Sequence, residues 1–181
     1  MNKPKIKLLE STILAQVRHF QFVRDRFIGL NNFETEMAVV RHPGAVVILP
    51  ILDSGEIVFV RQHRYAVNEF VLELPAGSLD KKDPESPIDC AKREISEEIG
   101  YRANKWRELG TLYPTPGFCD ELQHLFLVED LSPFSLPGDQ DEVIEVEQYS
   151  YAQVEQLIVS GELRDAKSIA TLFRAKLMGL I

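Results

Sequence analysis

The sequence predicts an α/β protein on three observations. Residues 45–52 form a nearly unbroken apolar run, which is typical of a strand covered on both faces. Residues 87–99 carry apolar side chains at helical spacing, and residues 151–159 and 168–178 predict two further helices. Strand and helix patterns therefore share a chain of 181 residues, a length that suits one domain or one domain with an arm.

The first part of the chain differs from the rest. Residues 1–43 alternate apolar and polar groups in short runs, which predicts two or three antiparallel strands outside the main core. From Gly44 onward the chain becomes core-like. We therefore expect an N-terminal β arm at 1–43 and a larger domain at 44–181.

Strands and loops alternate through the middle of the larger domain. Four more strands are predicted, at 57–60, 106–112, 124–129 and 143–149. The segments 113–121 and 131–141 each contain two prolines and a glycine, so both are predicted to be loops. The second is long, and long loops often carry catalytic groups.

Charge and composition exclude some classes of function. The formal net charge is −8, and no Lys or Arg occurs from Glu108 to Leu163, where twelve Asp and Glu lie. A surface that follows nucleic-acid phosphates needs clustered cations, so no nucleic-acid partner is expected. No apolar run approaches the roughly 18 residues of a membrane helix, and the first residues lack the apolar core of a signal peptide. With only Cys90 and Cys119, we expect a cytoplasmic protein that does not associate with membranes.

The predicted helix at 87–99 has clear ends and one apolar face. Ser86 can cap the helix, Pro87 suits its first position, and Gly100 ends it. The apolar face has helical spacing and consists of Ile88, Ala91, Ile95 and Ile99.

Three glutamates share another face of this helix. Glu94, Glu97 and Glu98 are neighbours because residues three and four apart meet on a helix surface. Arg93 can pair with Glu97, yet excess negative charge remains. A solvated acidic face is one interpretation; a site for a hard divalent cation such as Mg²⁺ is the other.

The full spacing favours the metal site. Glu85, seven residues, and then Arg-Glu-Ile-Ser-Glu-Glu-Ile-Gly ending at Gly100 resembles the Nudix box, in particular that of the ADP-ribose pyrophosphatase branch. The family usually has five residues between its glycine and first glutamate, whereas Gly77 and Glu85 have seven between them. Two extra residues in a polar surface loop account for the difference.

The resemblance implies a fold and an activity. The fold is a Nudix α/β/α sandwich with a mixed sheet, plus the N-terminal antiparallel β arm. The activity is Mg²⁺-dependent hydrolysis of the diphosphate bond of ADP-ribose or a related nucleoside diphosphate sugar, which gives a nucleoside monophosphate and a sugar phosphate. The implied metal ligands, for Mg²⁺ or Mn²⁺, are Glu94, Glu97, Glu98 and the backbone carbonyl of Ala76.

The resemblance also implies substrate contacts. Arg64 would reach the diphosphate, where a guanidinium forms paired hydrogen bonds that lysine cannot copy. Glu73 has two equally supported interpretations, as a substrate contact or as a charged residue on an edge strand. Pro116 lies 16 residues beyond Gly100, where a proline marks the ADP-ribose branch, and Phe118 or Glu121 would approach the terminal ribose. The sequence Asp-Ala-Lys-Ser, 165–168, resembles the family's ending.

In the related enzymes the N-terminal arm exchanges with a second subunit and helps to bind the adenine. A homodimer is therefore implied, with Phe20 and Phe22 as candidates for stacking on the base. Packing within the sheet or the dimer is the more common role for such aromatic residues. His19 and His42 have no partner at metal-ligand spacing and are interpreted as structural.

The general base is the open question. In the related enzymes a glutamate serves, in an acidic run before the last strand; here that run is 139–142, and the base position holds Gln140. A neutral amide cannot accept a proton at pH 7. Either Glu142 or a helix carboxylate such as Glu97 is the base, or Gln140 replaces a glutamate, which would trap substrate. We favour replacement, because the flanking acidic residues fit the family pattern.

Two other functions remain open at this stage. A GDP-mannose-type sugar nucleotide hydrolase is one, since neighbouring branches share the box and the dimer. A Nudix-fold sensor that binds ADP-ribose without cleaving it is the other. The complete set of helix glutamates argues against the sensor, whereas Gln140 argues for it.

Overall fold

The computed structural model describes residues 6–79, 85–138 and 143–181. These residues form two compact units. The first comprises the described residues of 1–44 together with 113–122, and the second comprises those of 45–112 and 123–181.

The first unit is a three-stranded antiparallel sheet in the order β1-β2-β3. The strands are β1 (Lys7–Val17), β2 (Phe20–Ile28) and β3 (Glu34–Arg41). The predicted loop 113–121 lies along β3, where Val40 N–H donates to Phe118 O at 2.7 Å and Asp120 N–H donates to Val40 O at 3.2 Å. Both the antiparallel strands expected at the N-terminus and the irregular loop are therefore confirmed.

The second unit holds two sheets and three helices. Its strands are β4 (Ala45–Pro50), β5 (Ile57–Arg64), β6 (Glu69–Glu73), β7 (Ala76–Ser78), β8 (Tyr101–Leu112), β9 (Gln123–Pro133) and β10 (Ile144–Tyr149). Its helices are α1 (Pro87–Glu98), α2 (Tyr151–Ser160) and α3 (Ala166–Leu177). One sheet, β7-β4-β9-β8, is mixed because β4 and β9 run parallel; the other, β10-β5-β6, is antiparallel.

Strand β4 separates two hydrophobic clusters. Val46 and Ile48 pack in a cluster with Ala91 and Ile95 of α1. The alternate residues of β4 join a second cluster with α2 and α3, whose members include Val47, Leu49, Val154, Leu172 and Ala175. Since successive side chains of a strand point to opposite faces, helices cover both sides of the sheets. The predicted α/β/α sandwich with a mixed sheet is confirmed.

Helix α1 forms as predicted because its signals are local. Ser86 Oγ accepts a hydrogen bond from Asp89 N–H at the N-terminus. Gly100 follows the helix with φ +73°, a left-handed conformation that glycine adopts without strain. The apolar face is buried at Ala91 and Ile95. None of the helices in the described residues has the length and apolar character needed to span a membrane.

Three predicted strands are too short. β5 continues to Arg64 rather than ending at 60, β8 begins at Tyr101 rather than at residue 106, and β9 continues to Pro133 rather than ending at 129, so residues 131–133 of the predicted loop are a strand. The extra residues of β8 and β9 pair with one another, from Tyr101 opposite Pro133 to Lys105 opposite Glu129. Much of this extension is polar and exposed, so the sequence carries no burial pattern there to predict a strand.

Candidate active site

Glu94 of α1 lies directly over Gly77 of β7. A Cβ atom built on Gly77 would stand 1.9 Å from the carboxyl carbon and from Oε1 of Glu94. No side chain fits at that distance, so position 77 must be glycine for the carboxylate to stay where it is. The requirement for glycine at position 77 is therefore steric.

Glu98, one turn further along α1, is tied to the residue before Gly77. Ala76 N–H donates a hydrogen bond to Glu98 Oε2 at 3.0 Å. Helix α1 and strand β7 therefore meet through two carboxylates. The predicted ligands Ala76, Glu94 and Glu98 lie together in the structure.

Arg93 occupies the acidic face of α1. Its Nη1 atom donates to Glu94 Oε1 and to Glu97 Oε2, both at 2.8 Å, and its Nη2 atom donates to Glu85 Oε1 at 2.7 Å. The predicted pairing of Arg93 with Glu97 is confirmed. The Nη1 atom of Arg93 thus lies between the carboxylates of Glu94 and Glu97, as a metal cation would, and it brings their oxygens together.

This arrangement fits a hard divalent cation in its chemistry. Within 6–79, 85–138 and 143–181, no three His, Cys, Asp or Glu side chains converge on one point as metal ligands. The physical reason is that Arg93 bonds Glu94 and Glu97 while Glu98 bonds Ala76. The donors are nevertheless all oxygens, three carboxylates and one backbone carbonyl, the type that Mg²⁺ prefers, and Gly77 leaves space for the close approach of Glu94.

A second cluster centres on Glu73 at the end of β6. Arg64 of β5 donates from Nε to Oε1 and from Nη2 to Oε2 of Glu73, both at 2.6 Å. β6 is an edge strand, but Glu73 is only 3 % exposed, so it is not the surface charge that an edge position suggests. The two predicted substrate residues bind each other.

The sequence analysis gave no role to the other members of this cluster. Lys167 Nζ binds Glu73 and also Asp165 Oδ2, the latter at 3.0 Å. Ser168 Oγ donates to Asp165 Oδ2 at 2.5 Å and accepts from Leu74 N–H at 2.7 Å. The resemblance of 165–168 to the family's ending was a signal for this cluster, but it did not indicate the partners.

Electrostatics keep the Glu73 carboxylate ionised. Burial alone would raise the pKa of Glu73, but the hydrogen bond from Arg64 and the charge of Lys167 outweigh it and lower the pKa. The pKa of Arg64 is raised, first by its hydrogen bond to Glu73 and further by the charges of Glu98 and Asp165. The Arg64 guanidinium is therefore close enough to Glu98 of α1 to interact with its charge.

In the first unit, the loop 113–121 and β3 line an open pocket of about 250 Å³. Met37 and Val39 line it from β3, and Tyr113, Pro116 and Phe118 line it from the loop. Phe118 is 57 % exposed, so its ring is accessible to a ligand.

Asp120 fixes this loop, a role that the sequence analysis did not identify. Arg41 Nη1 donates to Asp120 Oδ2 at 3.0 Å, and His42 N–H donates to Asp120 Oδ1 at 2.8 Å. Arg41 also binds Asp25, which is nearly buried on β2. Glu121 follows in the same loop and is half-buried.

The candidate base-stacking residues lie on β2. Phe20 contacts two imidazole rings, with its centroid 4.2 Å from that of His19 and 5.0 Å from that of His42. Phe22 is exposed. The packing role is therefore observed for Phe20, while stacking on a base stays a prediction for both.

The NUDIX domain family description matches residues 40–172 of this chain. The chain belongs to the Nudix family. A curated relative, the ADP-ribose pyrophosphatase of Bacillus subtilis, is 39 % identical over 140 residues, which make up 76 % of this chain and 75 % of the relative. The GDP-mannose pyrophosphatase of Cronobacter sakazakii is 31 % identical over 193 residues, with 97 % of each chain covered.

A solved structure agrees with the Nudix assignment at the level of the fold. The crystal structure of an ADP compounds hydrolase superposes with a TM-score of 0.83 and covers 98 % of this chain and 97 % of its own. The sequences are 24 % identical, so the likeness shows the fold alone. The family and the fold implied by the resemblance of residues 85–100 are therefore confirmed.

Some predicted features of the Nudix site cannot be placed. Gln140 and Glu142, the candidates for the general base, lie outside the described residues. Residues 80–84 of the lengthened loop after Gly77 also lie outside them.

Proposed function

We propose that this Nudix protein hydrolyses the diphosphate bond of ADP-ribose or a related nucleoside diphosphate sugar, giving a nucleoside monophosphate and a sugar phosphate. One observation carries the proposal: two α1 carboxylates are packed onto β7, Glu94 over Gly77 and Glu98 on Ala76 N–H. A solvated acidic face would not require either contact. The names of the two relatives, ADP-ribose pyrophosphatase and GDP-mannose pyrophosphatase, support the same reaction class.

Glu94, Glu97, Glu98 and the Ala76 carbonyl are the residues that would hold Mg²⁺ or Mn²⁺. When bound, the ion neutralises charge on the diphosphate and lowers the pKa of a water molecule. Arg93 Nη1 bonds one oxygen of Glu97 at 2.8 Å, and a carboxylate has a second oxygen that can serve the ion. The bond from Arg93 Nη2 to Glu85 anchors the guanidinium beside this face.

Arg64 is proposed to bind the substrate diphosphate. A guanidinium carries five N–H donors, and the paired bonds to Glu73 use two of them. The side chain is 39 % exposed, so its remaining donors are accessible to a ligand. Because Glu73 fixes the plane of the guanidinium, the donors are oriented before the substrate arrives, which lowers the entropic cost of binding.

Deprotonation of the attacking water is assigned to a carboxylate. Glu142 and Glu97 are the candidates in this chain, and Gln140 stands at the position where the related enzymes have a glutamate. Pro116, Phe118 and Glu121 are proposed to contact the sugar. The pocket that Pro116 and Phe118 line together supports this assignment.

The experiment is a turnover panel. ADP-ribose, GDP-mannose and other nucleoside diphosphate sugars are incubated with the protein and a phosphatase, with Mg²⁺, with Mn²⁺ and with chelator, and phosphate release is measured. We expect metal-dependent release that Glu98→Gln abolishes and that Glu129→Gln, an exposed glutamate on β9, leaves unchanged. If a panel member binds but is not cleaved with either metal, the hydrolase proposal is wrong and the protein is a sensor.

GDP-mannose is a second candidate substrate because the Cronobacter relative covers the whole chain almost completely. The discriminating quantity is the ratio of kcat/KM for ADP-ribose to that for GDP-mannose. A ratio well above one supports ADP-ribose, and a ratio well below one supports GDP-mannose.

We further propose a cytoplasmic homodimer that uses the N-terminal sheet. Strand β1 exposes several large apolar side chains, namely Leu8, Leu9, Ile13, Leu14 and Val17. Exposed apolar surface of this extent is typical of an interface. Sedimentation velocity should give a mass near twice the 20.6 kDa of one chain, and Ile13→Lys should reduce it to one chain.

A further inference from the structure

Lys167 lies at the end of α3 where a cation is least favourable. Asp165 caps the helix, so Lys167 falls in the first turn, beside the positive end of the helix dipole. Its side chain is only 11 % exposed. A lysine that is both nearly buried and at the positive end of a helix needs strong local compensation.

Two carboxylates provide that compensation. Lys167 Nζ binds Glu73 and Asp165. Glu73 is almost completely buried, and Arg64 binds both of its oxygens. One buried carboxylate therefore holds two cations, of which one is nearly buried and the other is partly exposed.

The cluster is closed at one end and open at the other. At the closed end, Asp165 and Ser168 lead to Leu74 N–H, a backbone group next to β7. At the open end, Arg64 is 39 % exposed and feels the charge of Glu98. A shift of Glu73 would therefore also move Arg64, which is the exposed member of the cluster.

The energetics make Lys167 necessary for that position. A buried carboxylate is costly unless it is paired and hydrogen-bonded, and removing one partner of a buried pair leaves uncompensated charge. Without Lys167, Glu73 and Asp165 would lack the cation between them. Arg64 alone would then hold the buried Glu73 carboxylate, and the Glu73–Arg64 pair would no longer be fixed from the side of α3.

We propose that Lys167 is a positioning residue for diphosphate recognition: it holds Glu73, and Glu73 orients the Arg64 guanidinium toward the substrate. The inference rests on the proposed function, in which Arg64 binds the diphosphate. Lys167 itself does not contact the substrate. Its effect on binding must therefore pass through Arg64.

The test is a double-mutant cycle with Lys167→Met, Arg64→Lys and the double variant. Arg64→Lys keeps the charge and measurable binding but cannot form the paired bonds. Calorimetry with Mg²⁺ gives the Kd of an ADP-ribose analogue whose bridging oxygen is replaced by methylene. We expect Lys167→Met to raise the Kd by about ten-fold in the wild-type background and by less than about two-fold in the Arg64→Lys background, because coupled residues are not additive.

Kinetics supply a second readout that a purely structural role would not reproduce. Lys167→Met should raise KM while kcat changes by less than about three-fold, and Lys167→Arg should recover most of the loss. The matched control is Lys176→Met, because Lys176 is also on α3 and pairs with Glu155 at 2.6 Å on the exposed side. If Lys167→Met does not fold, Lys167→Gln enters the same cycle.

The outcomes separate the inference from the function on which it rests. If Lys167→Met weakens binding equally in the wild-type and Arg64→Lys backgrounds, or in neither, the positioning role is wrong while the hydrolase proposal stands. A wild-type protein that neither binds nor cleaves any nucleoside diphosphate sugar overturns the proposed function as well. Loss only in the wild-type background supports the inference.

Discussion

The carboxylate of Glu94 occupies the space that a side chain at Gly77 would need, with only 1.9 Å between the carboxyl carbon and a Cβ built there. The glycine and the glutamate therefore depend on each other, although they lie on a short strand and on a helix. The proposed hydrolase requires this contact, because it sets where one metal ligand can lie relative to the Ala76 carbonyl.

Gly77→Ala is expected to inactivate the enzyme without unfolding it. The new methyl group must displace Glu94, and a shift of about 1 Å at a catalytic group can reduce the rate by about 10²-fold. Steady-state kcat with saturating Mg²⁺ measures the loss, and thermal unfolding shows whether the fold persists. The control is Gly29→Ala, whose methyl group would lie 3.2 Å from Asn31 Oδ1 and 3.7 Å from Phe33 O. An active Gly77→Ala enzyme would show that Glu94 does not need the position it has over Gly77.

Arg93→Met is expected to make the protein more responsive to metal. Without Arg93, Glu94 and Glu97 lose their shared cation, so the metal-free protein should lose about 1–2 kcal/mol of unfolding free energy. Added Mg²⁺ should then raise Tm more than in the wild type, because no guanidinium competes with it.

Thermal unfolding with and without Mg²⁺ measures both effects of Arg93→Met. Arg102→Met is the control, since Arg102 is an arginine of the same unit that contacts a hydroxyl and an aromatic ring, those of Ser132 and Phe134. Equal Mg²⁺-induced shifts in the wild type and Arg93→Met would mean that Arg93 does not compete for the metal face.

The sequence predicts the Nudix helix well because the signals are local. The cap at Ser86, the stop at Gly100 and the apolar spacing between them all act within a few residues. The glutamates that share a face follow from the same periodicity. The family and the sandwich fold then follow from the resemblance of this one segment.

The remaining parts of the site depend on contacts that sequence spacing does not contain. Glu73 is an edge-strand residue by position, yet its environment is set by Arg64 on the neighbouring strand and by Lys167 on the last helix. Similarly, Asp120 is bound by Arg41, 79 residues earlier in the chain. A burial pattern along one strand cannot reveal partners that the tertiary fold brings from other elements.

A pH-dependent stability is expected from Glu147 on β10. The hydrogen bond from Arg61 on β5 lowers the pKa of Glu147 in the folded protein. Its stabilising effect is therefore fully present above the unfolded pKa of about 4.3 and is lost as the pH falls through the lower folded pKa.

Glu147→Gln should cost about 1–2 kcal/mol of unfolding free energy at pH 7, and the difference from the wild type should shrink below about pH 4. Urea unfolding at several pH values measures it. Glu145→Gln, at an exposed position on the same strand, is the control and should differ little from the wild type at any pH. A difference for Glu147→Gln that stays constant down to pH 2 would contradict the ion pair with Arg61.

Gln140→Glu is expected to raise kcat by about 10²–10⁴-fold, the usual contribution of a general base. The reason is that a carboxylate can accept the proton of the attacking water, whereas an amide cannot. Steady-state kinetics on the best substrate of the panel measures the change, with the exposed Gln148→Glu as control. An unchanged kcat would assign the base to Glu142 or to a helix carboxylate, and Glu142→Gln would then decide between them.

Asp120→Ala is expected to weaken substrate binding by releasing the loop that carries Pro116 and Phe118. Both oxygens of Asp120 are bound, one by Arg41 and one by His42 N–H, so the alanine variant loses both anchors. The KM for the nucleoside diphosphate sugar should rise by about ten-fold while kcat changes little, because the loop is proposed to contact the sugar and not the diphosphate. Asp53→Ala, in the exposed turn between β4 and β5, is the control. A KM that matches the wild type would remove the loop 113–121 from the substrate site and leave its pocket without a role in this reaction.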